Sequence, residues 1–234
     1  MAVATQRNLP AVEGGDTLSE RAAELIERDI VAGRLAPGMR LGILELANRY
    51  EIGATPLREG LSRLLSSGLI IAIGQRGFRV AEISREDLAD ITSMRLAIER
   101  EALRLSMAGG DDTWEAGILS ALHQMRRYIQ RTGNDFREGA PEFDALHKGF
   151  HTALLAACGS KRLLAAHSEL YDQAYRYRRV MMRGFGSAKR FIAAHQALAD
   201  RVISRDFAVA EVMLTDHLRS TLAYVYPPRK GTIE

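Results

Sequence analysis

The sequence predicts a mainly α-helical protein: an N-terminal winged helix-turn-helix followed by a C-terminal all-helical antiparallel bundle. Three observations carry this expectation. Residues Leu41 to Arg79, LGILELANRYEIGATPLREGLSRLLSSGLIIAIGQRGFR, read as two short helices around a tight turn and then a two-stranded hairpin. Beyond Ser84, apolar residues recur at helical spacing between breaks rich in Gly, Asp and Pro, with no strand-like alternation. The length, 234 residues, is enough for two modest domains, each with its own core.

Residues 1–16 mix polar residues with Pro10 and Gly14-Gly15 and show no periodicity, so they are expected to be a loose tail. Thr17 or Ser19 can cap a helix running to about Ala32, with Ala22, Leu25, Ile26, Ile30 and Val31 inward. Gly33 stops it, and Pro37-Gly38 turns the chain into Met39-Arg40-Leu41. The next helix, Ile43 to Tyr50, places Ile43, Leu46, Ala47 and Tyr50 on one face. Glu51-Ile52-Gly53 breaks it, with Gly53 suited to the turn. Thr55 is the expected N-cap of the following helix and Pro56 its first residue. Leu57, Leu61, Leu64 and Leu65 form its core stripe, and Ser66-Ser67-Gly68 ends it. Leu69 to Ile73 and Phe78 to Glu82 read as strands around the tip Gly74-Gln75-Arg76-Gly77. Residues 17–83 thus form the expected DNA-binding domain.

The chemistry of this region suits double-stranded operator DNA. A recognition helix brings its N-terminal residues to base edges, while basic side chains and backbone amides clamp phosphates. From Arg49 to Arg79 there are five arginines (49, 58, 63, 76, 79) against Glu51 and Glu59, a net of +3. Residues 1–48 hold five arginines against seven acids. The candidate DNA contacts are Thr55, Arg58, Ser62 and Arg63 on the second helix, Arg49 on the first, and Gln75, Arg76 and Gly77 at the wing tip. A helix-turn-helix used for protein contacts alone is the competing reading.

Residues 84–226 read as about six helices. Ser84 with Asp87 resembles a capping box, and the helix it opens runs to about Met107, with Leu88, Ile91, Met94 or Arg95, Ile98, Ala102 and Leu105 inward. Gly109-Gly110-Asp111-Asp112 leads into a helix over Thr113 to Gln130 holding Trp114, Ile118, Leu122, Met125 and Ile129. After an indistinct segment to Pro141, helices are expected near Glu142–Cys158, Leu163–Arg183, Ala188–Ser204 and Phe207–Tyr226. Pro227-Pro228 ends the last, leaving residues 227–234 as a tail.

Four of the six histidines fall on inner faces of these helices. His147 and His151 are spaced i, i+4; His195 is in line with Ile192, Leu198 and Val202, and His217 with Met213, Leu214 and Thr221. Helices converging in a bundle can assemble such imidazoles around a divalent transition metal such as zinc or nickel. Hydrogen-bonded core histidines are the competing reading. His123 and His167 show no such pairing. Six basic residues between Tyr171 and Arg190 (Arg176, Arg178, Arg179, Arg183, Lys189, Arg190) are expected on a solvated face or a dimer rim, with one or two free to enter the pocket.

The pI near 9.2 and net charge of +3 permit nucleic-acid binding without requiring it. The single cysteine, Cys158, excludes an internal disulfide and a Cys-based zinc ribbon, and is expected to be a small core residue. No signal peptide and no run of about 18 uninterrupted apolar residues is present, which points to a cytoplasmic protein without membrane contact.

The segments PGMRL, LELANRYEIGATPLREGLSRLLSSGLI and GQRGFRV, between Pro37 and Val80, resemble the GntR family of bacterial transcription regulators. The resemblance implies operator contacts for Thr55, Arg58 and the Gln75-Arg76-Gly77 tip. Two departures bear on the operator: Gly53-Ala54 stand where the family often has Ser-Arg, and Leu44 stands where an arginine is frequent. The segments MRLAIEREALRLS, FHTALLAACGS and HQALADRVISRDFAVAEVMLTDHL resemble the FCD effector domain of the FadR subfamily. That resemblance implies a homodimer and a divalent metal held by a carboxylate and three histidines, here His151, His195 and His217, beside a small carboxylate effector. It also places Arg95 among the effector contacts, against the simpler reading of an Arg95–Glu99 pair at i, i+4. The usual first ligand, an aspartate four residues before the first of those histidines, is His147 here, and Asp144 is a weak substitute. The run from Gln75 to Ala116 looks most like the carbon-starvation-induced regulators.

Together these readings predict a ligand-responsive transcription regulator, a repressor rather than an enzyme. A metalloenzyme with an accessory DNA-binding domain is the rival, but in His147-Lys148-Gly149-Phe150-His151 a lysine occupies the place of the glutamate base of a zinc protease. A helical domain that only dimerises, with core histidines, is the third reading.

Overall fold

The computed structural model describes residues 17–74, 77–133, 140–181 and 187–227. The expected tails, most of residues 227–234 among them, and the tip residues Gln75 and Arg76 lie outside the described residues. Arg183 does too.

The N-terminal unit begins with α1 (Leu18–Val31), whose N-cap is Thr17; its side chain accepts from Glu20 N while the Glu20 carboxylate accepts from the Thr17 amide, a complete capping box. The short strand β1 (Arg40–Leu41) precedes α2 (Ile43–Tyr50) and α3 (Ala54–Leu64). Then come β2 (Ile70–Ala72) and β3 (Phe78–Val80). The wing is therefore a three-stranded antiparallel sheet in the order β1-β3-β2, not the two-stranded hairpin expected. Arg40 pairs with Arg79 and Leu41 with Phe78. Two residues are too few to show a period, which is why β1 is not visible in the sequence.

Three local expectations are corrected. The left-handed residue of the turn is Glu51, at φ 56°, while Gly53 is extended. Gly53, not Thr55, occupies the N-cap of α3; Pro56 is its third residue, where a missing N–H still costs the helix nothing. Leu65 lies past the helix end and is 38% exposed, whereas Leu57, Leu61 and Leu64 are buried. Gly60 lets α3 approach α1 closely, because a Cβ there would stand 2.9 Å from Ser19 O and Ala23 N. Ala22, Ile26, Ile30, Leu46, Leu57, Leu61 and Val80 form the core of this unit. Each fully buried leucine or isoleucine contributes roughly 1.5–3 kcal/mol.

The bundle comprises α4 (Arg85–Gly109), α5 (Asp112–Thr132), α6 (Pro141–Leu155), α7 (Lys161–Met181), α8 (Ala188–Ile203) and α9 (Phe207–Val225). Helix α4 packs on α6, α7 and α9, and α5 on α6 and α8. The five inward residues expected of α5, Trp114 to Ile129, are all buried. On α4 the choice falls on Arg95, 4% exposed, and Met94 faces out at 55%. Ser84 caps α4, accepting from Asp87 N, but the Asp87 carboxylate accepts from the Tyr177 hydroxyl instead of closing a capping box. Cys158 is buried just beyond α6, as expected.

Helix α7 joins the two units. Arg179 Nε donates to Ala32 O at 3.0 Å, at the end of α1. Arg176 Nη2 donates to Ala81 O at 2.6 Å, after β3, and Gln173 Nε2 donates to Ser67 O, just beyond α3. The basic residues expected on a solvated face or rim are thus largely employed otherwise: Arg176 and Arg179 span the junction and Arg178 is buried inside the bundle, while Lys189 and Arg190 are exposed. No described helix is long and apolar enough to cross a membrane.

Candidate metal centre and DNA-binding face

The four inward histidines meet. His147 and His151 come from successive turns of α6, His195 from α8 and His217 from α9. Nε2 of His147 lies 3.0 Å from Nε2 of His195 and 3.1 Å from Nε2 of His151, which lies 3.1 Å from Nε2 of His217. The four ligand atoms all fall within 4.8 Å of one another. His147, His151 and His195 are buried, and His217 borders a groove of about 340 Å³ between α8 and α9, lined also by Ala194, Leu198, Met213, Asp216 and Ser220.

Desolvation keeps all four rings neutral. Burial is the leading cause for each, and it lowers His147, His151 and His217 well below the ordinary histidine range. His195 falls to about 4, with the bond to Phe191 O pulling the other way. Neutral imidazole is the form that ligates a metal.

The donor set fits an ion. His195 Nδ1 lies 2.7 Å from Phe191 O, a carbonyl that only accepts, so Nδ1 carries the proton and Nε2 the lone pair. His147 would then have to donate to His195, and its Nε2 could not also accept from His151. The three short Nε2–Nε2 contacts therefore cannot all be hydrogen bonds. In addition, His151 Nδ1 is buried without a partner among the described residues. Tetrahedral zinc–imidazole bonds of about 2.0–2.1 Å separate ligand nitrogens by about 3.3 Å, a little beyond the three short contacts and inside the 4.8 Å that spans all four atoms, so the rings would draw together around an ion. The cluster could hold a transition-metal ion through four nitrogens.

Asp144 is not one of the converging atoms. Its carboxylate accepts from the Tyr171 hydroxyl at 3.0 Å and lies 3.5 Å from Arg178 Nη2. Burial pushes it up to about 6, against the opposing charge of Arg178. Tyr171 escaped the reading of the sequence, and Arg178 is, among the described residues, the one of the six basic residues that reaches this pocket; His167, Tyr171, Ala174 and Arg178 share one face of α7 at i, i+4, i+7 and i+11. His167, first read as unpaired, is wholly buried with Nδ1 3.1 Å from Glu99 Oε1. Arg95 Nε donates to that same oxygen at 2.6 Å, so the i, i+4 pair exists. The Arg95 guanidinium also lies 5.3 Å from the Tyr171 ring centre, which puts its charge beside the histidines.

On α3, Thr55, Arg58 and Ser62 are exposed. Ser62 Oγ donates back to Arg58 O at 2.9 Å. Arg63 pairs with Glu20 at 3.0 Å, and Arg49 with the buried Asp29 at 2.8 Å. Burial alone would raise the Asp29 carboxyl, but Arg34, Tyr50 and Arg49 outweigh it and hold it below the usual range. Arg58 makes no ion pair among the described residues, and Gly77 is exposed at the tip with φ 94°.

The model of the gntR family of bacterial regulatory proteins matches residues 18–80, and that of the FCD domain matches residues 90–220, more than half of the chain. The chain belongs to the GntR family, with an FCD domain. The HTH-type transcriptional regulator BphR of Paraburkholderia xenovorans is 36% identical over 209 residues, 89% of this chain and 85% of that one. The HTH-type transcriptional repressor GlaR of Escherichia coli is 32% identical over 210 residues, 88% of this chain and 94% of its own. Escherichia coli McbR/YncC shares the fold, with a TM-score of 0.76 at 19% identity over 91% of this chain and 98% of that one. These relatives by sequence are transcription regulators, not enzymes, and the winged helix of a GntR protein implies binding to operator DNA. This chain is accordingly a DNA-binding transcription regulator.

Proposed function

We propose that the protein is a homodimeric repressor of the bacterial cytoplasm whose hold on a palindromic operator is set by a small carboxylate bound beside a transition-metal ion in the bundle. In this reading residues 17–83 bind DNA and residues 84–226 bind the effector and dimerise. The observation that carries it is the convergence of four neutral Nε2 atoms inside a family effector domain. Four imidazoles without a carboxylate favour borderline ions such as zinc or nickel over hard ones. His147, His151, His195 and His217 are the proposed ligands.

Arg95 is the proposed anchor for the effector carboxylate. Its pair with Glu99 is made through Nε, which leaves the Nη groups for a ligand. Thr55, Arg58, Ser62, Arg63, Arg49 and the Gln75-Arg76-Gly77 tip are the proposed DNA contacts; Arg49 and Arg63 would exchange or share their present partners. The name of GlaR supports repression, and the resemblance of Gln75 to Ala116 supports a place beside the carbon-starvation-induced regulators.

The test is selection of genomic fragments bound by the zinc-loaded protein, followed by titration of the complex with a panel of small mono-, di- and tricarboxylates. An enriched palindrome whose affinity shifts with one acid supports the reading. No enriched sequence, or an enriched sequence indifferent to every acid and to metal removal, overturns it.

A further inference from the structure

On the Nδ1 side of His147 lie Tyr171, Asp144 and Arg178, all buried. The Tyr171 oxygen is 3.0 Å from Asp144 Oδ1 and 3.1 Å from His147 Nδ1. Arg178 approaches the same two groups, with Nη1 3.3 Å from Nδ1 and Nη2 3.5 Å from Oδ1. A phenol has one proton to give. The carboxylate can only accept, so that proton goes to Asp144 and the phenol lone pairs face Nδ1.

An Nδ1–H donating to Tyr171 leaves the lone pair of the His147 ring on Nε2, aimed at the other histidines. The opposite assignment puts the proton on Nε2, directed at His195, with Nδ1 accepting from Arg178. The two forms differ by the position of one proton on one neutral ring, and only the first can ligate through Nε2. Ligating histidines generally donate their other N–H to a carboxylate, carbonyl or similar acceptor, which fixes the tautomer and raises ligand basicity.

We infer that Asp144 and Tyr171 form a relay that holds His147 as an Nε2 ligand and supplies, through one hydrogen-bonded residue, the negative charge that the ligand set itself lacks. This rests on the reading that the four histidines hold an ion. The sequence carries both halves of the arrangement: a histidine at position 147 and a carboxylate one turn earlier on α6, with Tyr171 of α7 between them. Asp144 and Tyr171 are positioning residues; neither is among the converging ligand atoms. Arg178 offsets the carboxylate charge and keeps it in place.

The experiment measures zinc and cobalt(II) affinity by chelator competition in the full-length protein, in wild type, Tyr171→Phe and Asp144→Asn, with the cobalt spectrum recorded for each. Circular dichroism checks the fold, and Asp144→Asn keeps the shape and an acceptor oxygen if Tyr171→Phe does not fold. Expected is a loss of roughly 10–100-fold in affinity with the four-nitrogen tetrahedral cobalt spectrum retained. Nitrogen NMR of labelled histidine should show His147 protonated at Nδ1 and ligated at Nε2 in the wild type. Wild-type affinity in folded variants, or ligation of His147 through Nδ1, overturns the relay while leaving the ion site standing. A wild type that binds neither metal overturns the ion reading itself, and the relay with it.

Discussion

His195 Nδ1 donates to the carbonyl of Phe191, one turn earlier on the same helix, at 2.7 Å. That bond leaves the lone pair of the ring on Nε2, facing the other three histidines, so His195 would need no change of tautomer to ligate an ion. Protein purified without an affinity tag is expected to carry near-stoichiometric zinc or nickel by elemental analysis, and His195→Ala to lose it. Free metal at about 100 times its dissociation constant should stabilise the wild type by about 2.7 kcal/mol and the variant by nothing. Metal in neither protein, even after incubation with zinc or nickel, would make the cluster a polar core.

The same burial predicts acid sensitivity of the metal-stripped protein. His195 sits near 4 in the folded chain and at 6.5 when unfolded, and the other three site histidines are lowered too. The unfolded state therefore binds more protons below pH 6.5, and stability falls as pH drops through that window toward 4. His195 alone accounts for about 3 kcal/mol across it. Asp144, raised to about 6, acts in the opposite sense, since its folded form takes up a proton first. One carboxyl against four imidazoles leaves the net effect destabilising. Urea unfolding at pH 7.5 and pH 5 checks this; equal stability at both would contradict the burial of neutral rings.

How far the sequence reveals this site depends on which regularity each residue obeys. His147, His151, His195 and His217 lie in register with apolar neighbours on amphipathic helices, so helical spacing alone places them inward. Their meeting point depends on how α6, α8 and α9 pack, which no local pattern states. Asp144 is visible as a carboxylate near the histidines, but its role is set by Tyr171 from another helix. The apolar run and glycine-flanked tip that reveal β2 and β3 have no counterpart in the two-residue β1, and the cap of α3 shifted to Gly53 because Pro56 is tolerated anywhere in the first turn. The arginines of α7 read as surface charge because a bond to a distant backbone carbonyl leaves no trace in charge pattern.

Arg58 is the exposed α3 arginine without an ion pair among the described residues, so its charge is available to DNA. Arg58→Ala is expected to cost about 1–3 kcal/mol of specific operator affinity, with metal content and melting temperature unchanged. Fluorescence anisotropy on the selected operator reads the loss. Undiminished affinity would move recognition to another element.

Ala32, Ser67 and Ala81 are three carbonyls of the N-terminal unit bonded by donors of α7, and the same helix presents Tyr171 and Arg178 to His147. A shift of α7 at the site must therefore strain or relieve the junction. Arg176→Met combined with Arg179→Ala is expected to leave metal affinity and intrinsic operator binding intact. It should abolish most of the effect of the acid on operator affinity, a coupling of about 1–3 kcal/mol in typical regulators. Full retention of that effect would locate the coupling elsewhere, for instance in α4.

Glu99 Oε1 is shared by Arg95 Nε at 2.6 Å and His167 Nδ1 at 3.1 Å, with all three side chains nearly sealed from solvent. Burial opposes ionisation of Glu99, yet Arg95 and His167 together hold its carboxyl below the usual range. Glu99→Gln would leave the Arg95 charge buried without its counterion, a change that costs about 3–5 kcal/mol when one partner of such a pair is removed. Arg95→Lys keeps the charge but loses the planar fork that a carboxylate ligand would grip. The expected pattern separates the two roles: Glu99→Gln lowers stability in chemical denaturation, whereas Arg95→Lys lowers the affinity for the acid by calorimetry more than it lowers stability. Equal acid affinity in wild type and Arg95→Lys would reduce Arg95 to the structural partner of Glu99.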